Sequence, residues 1–235
     1  MDIQKVAVIT GASQGIGAGV VEAYRSLGYA VIANSRTIVA SDDDLVVAVP
    51  GDISDPAVAD RVIETAVERF GRVDTLVNNA GIFIAKPFLD YTSDDFDQAL
   101  AVNLGGFFHV TQNAVAQMST QRTGHVVNIT TSLVEYANSS VPSALASLTK
   151  GGTAAVVKSL AIEFASQGVR FNAVSPGIIK TPLHAEETHE TYGALHPMGR
   201  MGTIDDVVHG VIYLEQAPFV TGEFLHVDGG QSAGN

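Results

Sequence analysis

The feature that most constrains this chain is an alternation of short Val/Ile-rich runs with longer stretches of helical period. Lys5–Thr10, Tyr29–Ala33, Leu45–Val49, Thr75–Asn78, Gly124–Ile129, Arg170–Val174 and Glu223–Val227 read as strands. Gly15–Leu27, Pro56–Phe70, about Ser93–Gln117, about Ser143–Gln167 and Ile204–Leu214 read as the helices between them. Asp55 as N-cap and Pro56 at the first helical position mark one start sharply. Strands this apolar on both faces must be covered on both faces. The alternation therefore predicts an α/β fold, a Rossmann-type doubly wound parallel sheet of seven strands with right-handed crossovers. One crossover stands out, because only 15 residues separate Arg36 from Asp52 and they include the run Asp42-Asp43-Asp44. A full crossover helix needs about a dozen residues plus loops, so an abbreviated or irregular connection is expected there. No repeat, low-complexity tract or linker interrupts the pattern, and residues 1–235 read as a single domain.

Composition removes several classes of function. With no Cys, the chain has no disulfides, iron–sulfur clusters or thiolate zinc sites, which fits a reducing cytoplasm. Its 25 acidic residues against 13 Lys and Arg give a net charge of −12, with no basic cluster to offset it locally. Such a surface repels phosphate backbones and anionic membranes, so neither nucleic acid nor membrane is an expected partner. No apolar run approaches the ~18 residues of a membrane span. The opening Met1-Asp2-Ile3-Gln4-Lys5 does not read as a signal peptide, and a cytoplasmic location is expected.

Thr10-Gly11-Ala12-Ser13-Gln14-Gly15-Ile16-Gly17 follows the first strand and opens the first helix. Glycines at this spacing let the backbone turn sharply and approach a pyrophosphate, while the helix N-terminus offers free N–H groups and its positive dipole end. The spacing differs from the Gly-x-Gly-x-x-Gly of the general dinucleotide fold. It resembles the short-chain dehydrogenase/reductase family, as do Asn78-Asn79-Ala80-Gly81, Val102-Asn103-Leu104, Ser175-Pro176-Gly177-Ile178-Ile179-Lys180-Thr181, Gly199-Arg200-Met201-Gly202 and Val227-Asp228-Gly229-Gly230. These motifs run in order from about Val6 to Gly230.

The resemblance implies an NAD(P)-dependent oxidoreductase acting on a small carbonyl or alcohol. It places Gly11, Ser13, Gln14, Gly15, Ile16 and Gly17 at the cofactor's phosphates, Asp52 and Ile53 at its adenine, and Asn79, Ala80 and Gly81 beside its ribose. Pro176, Gly177, Ile179 and Thr181 belong to the loop at the carboxamide end. A carboxylate at the end of the second strand would favour NAD. Here Ala33-Asn34-Ser35-Arg36 offers none, and Arg36 beside Ser35 can fork onto a 2′-phosphate, which favours NADP. Gln14 argues the other way, since many NADP-dependent relatives carry Lys or Arg there.

The family's chemistry rests on Tyr-x-x-x-Lys, whose i,i+4 spacing puts both side chains on one helix face. Lys150 matches the Lys, Asn103 the helix-interrupting Asn and Ser132 the substrate-orienting Ser, with Thr131 as the alternate. The Tyr position is occupied by Ala146. Enoyl reductases of the wider family carry a Tyr seven residues before the Lys, but that position here is Ser143. Tyr136, in the loop ahead of the helix, could reach the site if that loop folds inward. Gly151 and Gly152 cost about 1 kcal/mol each in a helix interior, which implies a close neighbour. Val156, Leu160 and Phe164 read as core.

The segment 182–200 corresponds to the family's substrate lid. Its three His and three Glu raise a metal reading, but His184 and His189 are five apart, a poor helical pair, so no metal is expected. His184, His196 and Tyr192 remain candidates for a substitute acid. The alternative to an oxidoreductase is a cofactor-binding sensor or partner subunit with little redox activity. Family members commonly pair through the two long helices, so a homodimer or homotetramer is expected.

Overall fold

The computed structural model describes residues 4–234, so Met1-Asp2-Ile3 of the opening segment lie outside the described residues. Seven strands, β1 (Val6–Thr10), β2 (Ala30–Ser35), β3 (Val46–Pro50), β4 (Thr75–Asn78), β5 (Gly124–Ile129), β6 (Val169–Pro176) and β7 (Phe224–Val227), form one sheet. All pairings are parallel, in the order β3-β2-β1-β4-β5-β6-β7. Every residue of β1 and β5 is buried, as two covered faces require.

Helices α1 (Gly15–Ser26), α2 (Pro56–Phe70), α3 (Ser93–Ala99), α4 (Phe107–Gln121), α5 (Ala144–Phe164), α6 (His189–Gly193) and α7 (Ile204–Gln216) pack around the sheet. On one face Val62 of α2, Val110 of α4 and Val157 of α5 close a core over Val8, Leu76 and Val126. On the other face Val20 and Tyr24 of α1 meet Val207 and Leu214 of α7 over Ile9, Val77 and Val127. The start of α2 is as read: Asp55 Oδ1 accepts the Ala57 N–H at 2.9 Å, and Pro56 follows.

Four expectations are sharpened or corrected. The β2–β3 connection carries no helix, only turns. The long helix at Ser93 is broken by a π-helical stretch, Leu100–Gly106, before α4 begins. Gly151 and Gly152 have no close backbone neighbour: a Cβ would meet Val134 Cγ1 at 3.7 Å and Leu104 Cδ2 at 3.5 Å, ordinary contacts. The buried stripe of α5 is Thr153, Val157 and Ala161, one residue along from the predicted one. Leu160 and Phe164 are half-buried and pack against the core as read, and with Val156 they also line an apolar groove between α4 and α5 with Phe107, Phe108 and Val115. Among the described residues, no helix is long and apolar enough to cross a membrane.

Candidate active site

Strand order reverses between β1 and β4, and a crevice opens beyond the carboxyl ends of the strands there, the place where open α/β sheets bind ligands. The cleft measures about 330 Å³. Of the predicted cofactor residues it brings together Gly11, Ser13, Gln14, Gly15, Ile16, Ser35, Arg36, Asp52, Ile53, Asn79, Ala80, Gly81 and Thr181. Gly17, Pro176, Gly177 and Ile179 do not line it. Pro176 is the buried last residue of β6, and Ile179, 4% exposed, packs into the core under the cleft.

Gly11 and Gly15 adopt φ of +64° and +57°, a region open to glycine at little cost. Gly17 sits behind the loop, where a Cβ would be driven into the Gly11 carbonyl oxygen. The turn after β4 is pinned to the loop. The Thr10 hydroxyl accepts the Asn79 and Ala80 N–H groups at 3.1 and 3.0 Å, and Asn79 Nδ2 donates to the Thr10 and Gly11 carbonyls. At the outer end Arg36 is exposed. Asp52 accepts from the backbone and hydroxyl of Ser54, which, with Arg36 nearby, holds its carboxyl below the usual range.

Lys150 lies at the inner end, in a small adjoining pocket shared with Asn103, Ile53 and Ala80. Its Nζ donates to the Ile129 carbonyl at 2.8 Å, and a Cβ on Gly81 would lie 2.9 Å from it. Burial pushes the ammonium down to about 8, and among the described residues no carboxylate pairs with it. Below it, Asn78 Nδ2 bonds Thr111 Oγ1 and Asn128 Oδ1 in a polar ladder across β4 and β5.

Asn103 stands in the π-helical stretch, a distortion that commonly marks functional sites. Its amide accepts from Ile82 N–H at 2.9 Å, donates to the Ile82 carbonyl at 3.1 Å and donates to Thr149 Oγ1 at 3.0 Å. The side chain thus ties the Gly81-Ile82 segment to α5, one residue from Lys150.

Ser132 is not brought to the cleft. It is 1% exposed, and its hydroxyl donates to Gln231 Oε1 at 2.6 Å. Thr131 is half-buried, its Oγ1 accepts the Leu133 N–H at 3.3 Å, and it does not line the cleft either. Residue 146 is a buried Ala, 4% exposed, with no polar side chain to offer. Tyr136 lies half-buried in the loop ahead of α5.

The lid folds into a short turn, Glu186–Thr188, and α6. His184 stacks edge-on against Tyr192 with ring centroids 5.3 Å apart, and burial together with the neighbouring His189 lowers its pKa. His196 is 4% exposed with both ring nitrogens engaged, so it has no proton to give a substrate. Among the described residues no three His, Asp or Glu side chains gather as metal ligands.

Sequence reasoning missed Gln231 and Thr149. Each acts through a side-chain hydrogen bond to a residue distant in the chain, 99 and 46 positions away, for which no local pattern exists.

Comparison with known proteins follows the same lines. The family profile described as Enoyl-(Acyl carrier protein) reductase matches residues 11–232. A 3-oxoacyl-[acyl-carrier-protein] reductase of Thermotoga maritima is 36% identical, over 96% of this chain and 97% of that one. A 3beta-hydroxysteroid dehydrogenase of Eggerthella lenta is 32% identical, over 97% of this chain and 94% of that one. Among solved structures, ElxO with NADP bound superposes with a TM-score of 0.92 at 30% identity, covering 98% of this chain and all of that one. The 3-ketoacyl-(acyl-carrier-protein) reductase from Brucella melitensis complexed with NADH gives 0.89 at 31%, with the same coverage.

Proposed function

From the premise that this chain belongs to the short-chain dehydrogenase/reductase family, we propose that it is an NADP-linked oxidoreductase of a small carbonyl or alcohol in which Ala146 stands at the family's tyrosine position. The observation that carries the reading is Lys150: an ammonium held at about 8, without a carboxylate partner, against Gly81 at the inner end of a glycine-walled cleft. A dinucleotide fits these residues, because Gly11 and Gly15 wall the cleft in a positive-φ turn and Arg36 stands exposed at the far end. When bound, NADPH supplies the hydride.

Lys150 holds ribose hydroxyls, and Asn103 keeps the Ile82 segment and α5 in register around it. Thr131, the alternate to Ser132, donates to the substrate oxygen. With no phenol at 146, the proton reaches that oxygen from solvent, His184 or Tyr192. The test is NADPH oxidation over a panel of activated carbonyls, with Ala146→Tyr alongside. A positioned general acid is worth about 10²–10⁴-fold, and the variant is expected to gain within that range. No gain in a variant that melts normally and binds NADPH refutes the placement.

The buried Ala146 supports a second reading, a cofactor-binding protein with little redox activity. NADPH binding without turnover on any carbonyl selects it.

The apolar groove between α4 and α5, with Phe108 56% exposed, supports assembly of two or four copies through this face. Sedimentation of a monomer alone removes that part of the reading.

A further inference from the structure

Beyond β6 the chain runs from Gly177 to Thr181 under the lid, and most of this segment is held by main-chain bonds. Gly177 N–H donates to the Val227 carbonyl at 3.1 Å and Lys180 N–H to the Gly202 carbonyl at 2.9 Å. Gly202 N–H donates back to the Ile178 carbonyl at 3.0 Å, and Ile179 bridges Gly202. Ile178 N–H differs, because it is held by a side chain, donating to His196 Nε2 at 3.0 Å.

The other ring nitrogen of His196 has a complementary role. Nδ1 lies 2.9 Å from the Tyr192 carbonyl, which only accepts, so Nδ1 carries the proton and Nε2 is the free acceptor. The ring is therefore a rigid strut, donating to the lid helix α6 on one side and accepting from the loop after β6 on the other. Its fit is close: a Cβ on Gly177 would lie 2.6 Å from Nε2, and one on Gly229 3.4 Å from the His196 Cβ. With 4% exposure, neither bond has water as a substitute.

We propose that His196 is a positioning residue that sets the height of the Ile178–Thr181 loop against the nicotinamide end of the cofactor and couples that loop to the lid. This rests on the reading that NADP(H) occupies the cleft. Thr181, three residues past the anchored N–H, lines that cleft, so a shift at Ile178 is passed to it along a short, hydrogen-bonded segment. The adenosine end is held by other elements, Ser35, Arg36 and Asp52, none of which touches His196.

Affinities for NADPH and for 2′,5′-ADP, which lacks the nicotinamide half, separate a positioning role from a general structural one. They are measured for the wild type, His196→Leu, His196→Asn and His196→Gln, with a thermal melt on each. The Leu change removes both bonds. The Asn change keeps a donor for Tyr192 but loses the acceptor, whereas Gln keeps an acceptor at the Nε2 position. His196→Leu and His196→Asn are expected to weaken NADPH about tenfold, the scale of a buried N–H left unpaired, with 2′,5′-ADP within about twofold of wild type. His196→Gln is expected to recover most of the loss. Should His196→Leu not fold, the Asn and Gln pair decides the matter alone. Unchanged NADPH affinity in the Asn variant, equal loss of both ligands, or an Asn variant that binds as well as Gln overturns the proposal while leaving cofactor binding intact. A wild-type chain that binds neither ligand overturns the underlying cofactor reading, and the proposal with it.

Discussion

Lys150→Met is expected to stabilise the protein while abolishing NADPH binding. The ammonium is pushed from 10.5 to about 8 by burial alone. At 1.36 kcal/mol per pH unit, that fall puts an upper bound of about 3.4 kcal/mol on the cost to folding at neutral pH, where the lysine is charged in both states. Methionine keeps the apolar stem and removes the charge. It also strips the Ile129 carbonyl of its donor, an opposing loss of about 1–3 kcal/mol. The net gain is at most about 0.4–2.4 kcal/mol, and about 1–10 °C in Tm at 2–4 °C per kcal/mol for a domain of this size. The pH dependence provides the sharper test. A cation whose folded pKa is lowered binds its proton more readily in the unfolded chain, so wild-type stability rises as pH climbs from about 8 towards 10.5. The variant lacks that component. Urea unfolding of both proteins at pH 7 and pH 9.5 measures it as a narrowing of the difference between them. A variant less stable than wild type at pH 7, or a difference that does not change with pH, refutes the reasoning.

Gly17→Ala is expected to lower Tm and weaken NADPH binding more than tenfold, since its Cβ meets the Gly11 carbonyl oxygen and lies 2.6 Å from Asn79 Nδ2; differential scanning fluorimetry and a fluorescence titration check both. Arg36→Ala is expected to weaken NADPH about tenfold and leave NADH unchanged, on the scale of a charge-assisted bond to phosphate; equal effects on the two cofactors would remove the NADP assignment. At the opposite, amino-terminal end of the inner strands, burial pushes the Glu215 carboxyl up, but donors including His125 at 2.8 Å, Tyr29 at 2.8 Å and Thr75 at 3.0 Å outweigh it and hold it at about 2. Glu215→Ala is expected to cost about 3–5 kcal/mol in urea unfolding at pH 7. Wild-type stability from this group is full above 4.5 and drains as pH falls towards 2, so the two proteins should converge in acid.

The architecture was legible in the sequence because its determinants are local. A strand buried on both faces shows as an unbroken Val/Ile run, as in Val6–Thr10, whatever lies beside it. Asp55-Pro56 caps α2 through a bond spanning two residues, and the short β2–β3 connection follows from counting. The glycines at 11 and 15 announce a backbone conformation that few other residues adopt. The side-chain geometry of the site was not legible, because it depends on contacts between residues far apart in the chain. Spacing named Ser132 with Thr131 as the alternate, and it could not foresee the packing of the C-terminal turn, which brings Gln231 onto Ser132. His196 read as a possible acid until the fold placed Tyr192 on one side of its ring and Ile178 on the other. Gly151 and Gly152 read as a close approach, yet side chains of Val134 and Leu104 stand at ordinary distance. Local pattern determines the backbone path, whereas the partner of a polar side chain is decided by which segments that path folds against it.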